Sequence, residues 1–209
     1  MPFYRPYRKP RFDTVYNMLF ADDPTPFAGS VAAGEPWTAL FAVPPNPAAL
    51  RRIAEDETAE SRVRLLAYGA LRDLGESVPA KVVLGAVIEV PQDEGLDVLA
   101  VYPDYRVRYI HALAKLTIVE DKVDTLVKPV DDMMAASRAL VAKIGPFQRE
   151  RQQPPAQDMA RITFLASDGI YLGQAPFETL RNDVNGGPVV TAAIAILNIL
   201  ADQFAPQPD

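Results

Sequence analysis

Four short runs between Lys81 and Val119 are rich in β-branched and aromatic residues, and turn residues separate them. The first run, KVVLGAVIEV, is apolar at nearly every position, which is typical of a central strand that is covered on both faces. In the third run, RVRYIH, apolar and charged residues alternate, so we expect one face of it in solvent. The runs, including LDVLAVY and LTIV, predict four consecutive strands that pair as an antiparallel meander.

A second β region follows farther along the chain. The runs RITFLA and IYLG flank Ser167, Asp168 and Gly169, which form a strong turn signal. We therefore expect a hairpin here that joins the same sheet.

Apolar residues three and four positions apart mark the rest of the chain. This spacing predicts amphipathic helices over the ranges 12–20, 47–54, 63–74, 123–144 and 189–200. Pro129 interrupts the fourth range at a cost of about 3 kcal/mol in a helix interior, so we expect either a kink there or a helix that begins near Lys128. The proline-bearing stretch over 22–46 is predicted to be mostly irregular.

The order of these elements predicts an α+β fold with N-terminal amphipathic helices, an antiparallel sheet of about five to six strands, and helices packed on the sheet. A chain of 209 residues fits one such unit. We expect a flexible basic arm over 1–11 and a single α+β domain over 12–209. Within that domain, 12–79 is the helical N-terminal part, and 80–209 holds the sheet with two long helices.

The net charge of −6 is unevenly distributed along the chain. Residues 1–11 carry four basic side chains and no acid, which leaves 17 basic against 27 acidic side chains in the remainder. Nucleic-acid binders need a basic surface to neutralise phosphates, so the acidic body disfavours that class. Acidic charge favours encounter with basic protein partners instead.

The chain contains no cysteine, which excludes disulfides, thiolate nucleophiles and zinc–cysteine sites. The N-terminal stretch has no apolar region after its basic residues, and the most apolar run, beginning at Val189, is shorter than the ~20 residues that span a bilayer. We expect a cytoplasmic protein with no membrane span.

Common catalytic and cofactor motifs are missing. His111 is the only histidine, and none of the five serines lies in a G-x-S-x-G turn. Neither G-x-x-x-x-G-K nor G-x-G-x-x-G occurs, and the glycine pair at Gly186 and Gly187 is explained by turn chemistry, so we expect no cofactor.

Three groups of residues remain as candidate sites. Arg106 and Arg108 share a strand face, and with Arg161 on a neighbouring strand they would form a cationic patch for a carboxylate or phosphate. Arginines on an exposed sheet face are more often paired with local acids. Trp37 lies in an irregular stretch, where we expect it to be mostly buried and to anchor the loop. The alternative is an exposed side chain that anchors a partner.

The third group is acidic and could hold only a hard cation such as Mg²⁺. It comprises Asp22, Asp23, Glu55 and Asp56. Adjacent carboxylates at helix ends are more often caps and solvated faces than metal ligands.

Two functions follow from these features. The first is a non-catalytic interaction or regulatory protein with a protein partner or a second copy of itself. The alternative is a divalent-metal-dependent hydrolase that uses the four carboxylates, and it requires them to meet in one pocket.

Overall fold

A computed structural model describes residues 3–204 and contains one six-stranded antiparallel sheet with the order β4-β3-β2-β1-β5-β6. The first four strands form the predicted meander, and the predicted hairpin adds β5 and β6 beside β1. The strands are β1 (Val83–Gln92), β2 (Gly95–Val101), β3 (Val107–His111), β4 (Lys115–Val119), β5 (Ala160–Ala166) and β6 (Gly169–Ala175).

Helices cover both faces of this sheet, so the α+β prediction is confirmed. Seven α-helices and one 3₁₀ helix occur within residues 3–204. They are α1 (Pro10–Phe20), the 3₁₀ helix η1 (Thr25–Ala33), α2 (Trp37–Leu40), α3 (Pro47–Glu55), α4 (Ser61–Asp73), α5 (Asp124–Val141), α6 (Phe177–Asn182) and α7 (Gly187–Phe204).

The central position of β1 follows from its apolar composition. Ile88 pairs with Leu99 on β2 and with Ile162 on β5. Its neighbour Val87 points to the opposite face, where α1, α3 and α4 pack, whereas Ile88 faces α5 and α7. The sheet is therefore the middle layer between two hydrophobic cores, and both faces of β1 are buried.

Some local predictions are corrected by the structure. One face of the run RVRYIH was expected in solvent, which is wrong, because the N-terminal helices cover that face and Arg108 is only 3% exposed. The fourth predicted helix begins at Asp124, ahead of Pro129, so a start near Lys128 is wrong as well. The stretch over 22–46 contains η1 and α2, and α6 was not predicted.

The last helix, α7, is by length and composition the one helix within the described range that could cross a membrane. In the structure its apolar side packs on the sheet beside α5, and Val189, Ile196 and Leu200 belong to the core there. The apolar side of α7 is thus buried in the interior of the protein.

The described part of the predicted arm, from Phe3 onward, lies against the body of the protein. The backbone of Tyr4 exchanges hydrogen bonds with the Asn17 side chain, and the buried Tyr7 hydroxyl donates to the Leu96 carbonyl at 2.8 Å. The Tyr4 hydroxyl donates to the carbonyl of Arg151, whose guanidinium lies 4.2 Å from the centre of the Phe20 ring. Residues 1, 2 and 205–209 of the predicted boundaries lie outside the described residues.

These contacts favour a docked N-terminal segment over the predicted flexible arm. The flexible arm stays a prediction, and deletion of the segment can test it. Removing residues 1–9 should lower the melting temperature by more than about 5 °C, because the variant loses the buried Tyr7 ring and its hydrogen bonds. Thermal unfolding followed by circular dichroism measures this. Phe3→Ala is the matched control, since Phe3 is 45% exposed and should matter little. An unchanged melting temperature on deletion would support a flexible arm.

Candidate functional site

The four acidic candidates lie in separate local structures, and three of them accept hydrogen bonds. Asp22 accepts a hydrogen bond from Arg151 Nε at 2.7 Å, and Asp23 caps the backbone N–H of Thr25. Asp56 accepts from both the backbone and the hydroxyl of Thr58, which lowers the pKa of its carboxyl. Glu55 is exposed at the end of α3.

No group of three or more acidic or histidine side chains within residues 3–204 is placed to hold a metal ion. Asp23 and Asp56 serve as turn caps and Asp22 as an ion-pair partner instead. Metal-dependent hydrolysis at these four residues therefore has no geometric support.

Arg106 and Arg108 lie together and share one carboxylate. Arg108 Nη2 donates to both oxygens of Glu120, at 2.8 and 3.0 Å, and Arg106 Nε donates to the same group at 3.1 Å. Asp104 and Glu60 lie within 4 Å of the same two guanidinium groups. These internal partners already neutralise the two arginines.

Arg161 is buried on β5, with β1 and β2 lying between it and the strand of Arg108. It contacts Glu89 on the neighbouring β1, with 3.7 Å between Arg161 Nη1 and Glu89 Oε2, and Arg161 Nε donates to Gln174 at 2.9 Å. The other oxygen of Glu89 accepts a hydrogen bond from the Tyr16 hydroxyl at 2.7 Å. The pair thus lies beneath α1, in the layer between that helix and the sheet.

Glu89 is fully buried in the middle of the sheet. Burial is the largest influence on its pKa and raises it, although the Tyr16 hydrogen bond and the nearby Arg161 and Arg151 act in the opposite direction. Within residues 3–204, Glu89 Oε2 accepts no hydrogen bond. Because α1 closes this cluster from solvent, it fixes α1 on the sheet rather than forming an open site.

Trp37 is half-buried at the start of α2. Its indole stacks on Phe27 with 5.7 Å between ring centres, and it packs against the N-terminal core. The guanidinium of Arg62 lies on the Phe27 ring at 5.6 Å. Trp37 therefore anchors the long loop and still presents part of its surface to solvent.

A groove between β3, β4 and α7 combines apolar and polar lining side chains. It has a volume of about 370 Å³. The lining side chains come from two sides: Tyr109, His111, Lys115 and Thr117 from the strands, and Leu197, Asn198, Leu200 and Ala201 from the helix. An apolar floor with a few polar groups is typical of ligand and partner sites.

The polar residues of this groove differ in how they are paired. The Tyr109 hydroxyl donates to Asp97 at 3.0 Å, and His111 Nδ1 accepts from the Leu113 N–H. Lys115 is exposed and makes no salt bridge within the described part of the chain. The rim of the groove therefore carries the Lys115 ammonium group, which has no ionic partner within the described residues.

The strand β4 forms one wall of the groove and one edge of the sheet. The Tyr102 N–H donates a hydrogen bond to the Arg106 carbonyl, so from Arg106 onward every second residue along β3 bonds to β2. The residues in between direct their backbone groups to β4. Their partners on β4 include Thr117. Leu116 and Ile118 consequently direct their N–H and C=O groups away from the sheet.

The two edges of the sheet differ. At the β6 edge, the Phe147 N–H donates to the Ile170 carbonyl at 2.8 Å, so a neighbouring segment covers part of it. No backbone hydrogen bond reaches β4 from outside its pairing with β3 within residues 3–204. Ile118, on the face opposite the groove, is 45% exposed. The β4 edge is thus open and apolar beside a groove.

Sequence reasoning missed both Glu89 and the β4 edge. A charged residue inside a strand that is predicted to be covered on both faces was the available signal for Glu89, because a buried charge needs a partner. No signal in the run LTIV distinguishes an edge strand from an inner one.

No protein-family model matches the chain, and comparison with curated proteins and with solved structures gave no match.

Proposed function

We propose that this chain is a non-catalytic interaction protein that binds an extended segment of a partner protein along β4. The open edge of β4 beside the groove is the observation that carries this proposal. An added strand would lie about 4.8 Å beyond β4 and accept and donate hydrogen bonds at Leu116 and Ile118.

The groove supplies selectivity for the side chains of that segment. Alternate residues of an added strand point to the same face of the sheet, so every second side chain would extend toward α7. Leu197, Ala201 and Tyr109 offer apolar surface there. The intervening side chains would lie beside Ile118 on the opposite face.

Lys115 gives the segment a preferred charge. It is exposed at the beginning of β4, where an acidic residue of the bound strand would meet the ammonium group. The expected ligand is therefore an extended segment of alternating apolar residues with an acidic residue near one end. The overall charge of −6 still favours partner proteins that are basic elsewhere.

Selection from a display library of random peptides tests this function. Peptides enriched on the wild-type protein should show alternating apolar residues, and their affinity should fall at least about tenfold on Ile118→Pro, which removes an outward N–H without removing a bond of the sheet. Leu197→Gln in the groove should weaken them as well.

The control is Val184→Asp, since Val184 is 84% exposed and lies in the turn between α6 and α7. Peptides that bind the Ile118→Pro variant as tightly as the wild type would place the interaction elsewhere. Failure to enrich any peptide on a correctly folded protein would refute the proposal.

A further inference from the structure

The geometry points to β4 of a second copy of this chain as a strand that pairs with β4, which forms a two-fold symmetric dimer. This inference rests on the proposed function, because it assigns an occupant to the same open edge.

The run from Lys115 to Val119 is complementary to itself in an antiparallel arrangement. A two-fold axis through Thr117 pairs all five residues of the strand. Leu116 of one copy then lies opposite Ile118 of the other, and Thr117 lies opposite Thr117. Apolar pairs and threonine pairs across strands are both favourable.

The same axis satisfies the open backbone groups. Leu116 and Ile118 are the residues that point their N–H and C=O groups outward, and the axis places them opposite each other as hydrogen-bonded pairs. Each contact occurs twice because of the symmetry. The two sheets would become one continuous sheet, with α5 and α7 of both copies on the same side.

The charges at the two ends of β4 support antiparallel pairing. Lys115 begins the strand, whereas Glu120 and Asp121 follow its end. In the two-fold arrangement, Lys115 of one copy lies diagonally across from the acidic end of the other. Neither Lys115 nor Asp121 makes a salt bridge inside its own chain, as far as residues 3–204 are concerned. A parallel arrangement would place lysine beside lysine instead.

Light scattering coupled to size-exclusion chromatography of the full chain, over a micromolar concentration series, tests the inference. The wild type should shift from monomer to dimer as concentration rises. Ile118→Pro should raise the dissociation constant about tenfold or more relative to Ile118→Ala, because both lose the side chain and only the proline loses the outward N–H. Val184→Asp should leave the dissociation constant unchanged.

A charge exchange tests the register independently of the proline. Lys115→Glu and Asp121→Lys should each weaken the dimer about fivefold, because each places like charges together at two symmetric positions. The double variant should return to within about threefold of the wild type. The charge exchange remains informative if Ile118→Pro does not fold. A far-UV circular dichroism spectrum of the proline variant would reveal such a folding defect.

The outcomes separate this inference from the proposed function. A monomer at every concentration overturns the self-pairing and leaves peptide binding at β4 intact. A dimer that ignores both the proline and the charge exchange also overturns it. A dimer that library peptides dissociate, and that responds to the charge exchange, supports both.

Discussion

Replacing Ile88 by aspartate is expected to leave the chain unfolded. Ile88 lies at the centre of β1, is 6% exposed, and packs in the core between the sheet and the helices α5 and α7. Ile88 pairs with Leu99 on one side and with Ile162 on the other, so no solvent-exposed position is open to a carboxylate here. An unpaired buried charge costs several kcal/mol or more, which is comparable with the 5 to 15 kcal/mol total stability of a typical domain.

Far-UV circular dichroism and the yield of soluble protein measure this effect. Ile118→Asp is the matched control, since it makes the same change on an edge strand at a residue that is 45% exposed. The control should fold with a melting temperature close to that of the wild type. A cooperative transition near the wild-type temperature in Ile88→Asp would show that β1 is not the covered central strand.

Replacing Arg161 by methionine is expected to lower the free energy of unfolding by about 3 kcal/mol, because the buried Glu89 carboxyl loses its nearest cation on the sheet and must either keep its charge with only Arg151 nearby or take up a proton. Glu89 is fully buried, and Arg161 Nη1 lies 3.7 Å from it. Chemical denaturation at pH 7 gives the value. Replacing Glu89 by glutamine in the same chain should recover a large part of the loss, because the uncompensated charge is then gone.

The pH dependence of this variant distinguishes lost charge compensation from lost packing. Burial raises the pKa of Glu89 above its ordinary value, so the folded state retains a proton at pH values where the unfolded chain has released it. The protonated Glu89 carboxyl therefore contributes to the free energy of unfolding at low pH. This contribution is lost as the pH rises through the pKa that Glu89 has in the folded state. Arg161→Met removes a cation that lowers the pKa of Glu89, so the stability that this variant loses should become smaller as the pH is lowered from 7. A deficit that is constant with pH would assign the loss to packing.

The fold was predictable where one segment determined its own environment. The run at β1 is apolar on both faces, and that pattern alone indicates a covered central strand. Ser167, Asp168 and Gly169 likewise specify the β5–β6 hairpin, since turn residues determine a hairpin locally. Each of these features depends on a few consecutive residues.

The remainder depended on segments far apart in the chain. Arg108 alternates with apolar residues as a solvent-facing residue would, yet the N-terminal helices cover it and Glu120 neutralises it. The open edge of β4 exists because β5 pairs with β1 instead, which no local pattern encodes. The groove further requires α7 to lie over β3 and β4, and helical periodicity does not specify where a helix packs.

The sheet order also has a consequence for folding during synthesis on the ribosome. The β1 strand is flanked by β2 and β5, but about 70 residues separate the end of β1 at Gln92 from the start of β5 at Ala160. At 5 to 20 residues per second, the meander emerges with the β5 side of the largely apolar β1 strand unpaired for roughly 3 to 14 seconds. The nascent chain thus exposes an apolar strand edge during synthesis, and slower translation beyond Gln92 would lengthen the time for which that edge can pair with another chain.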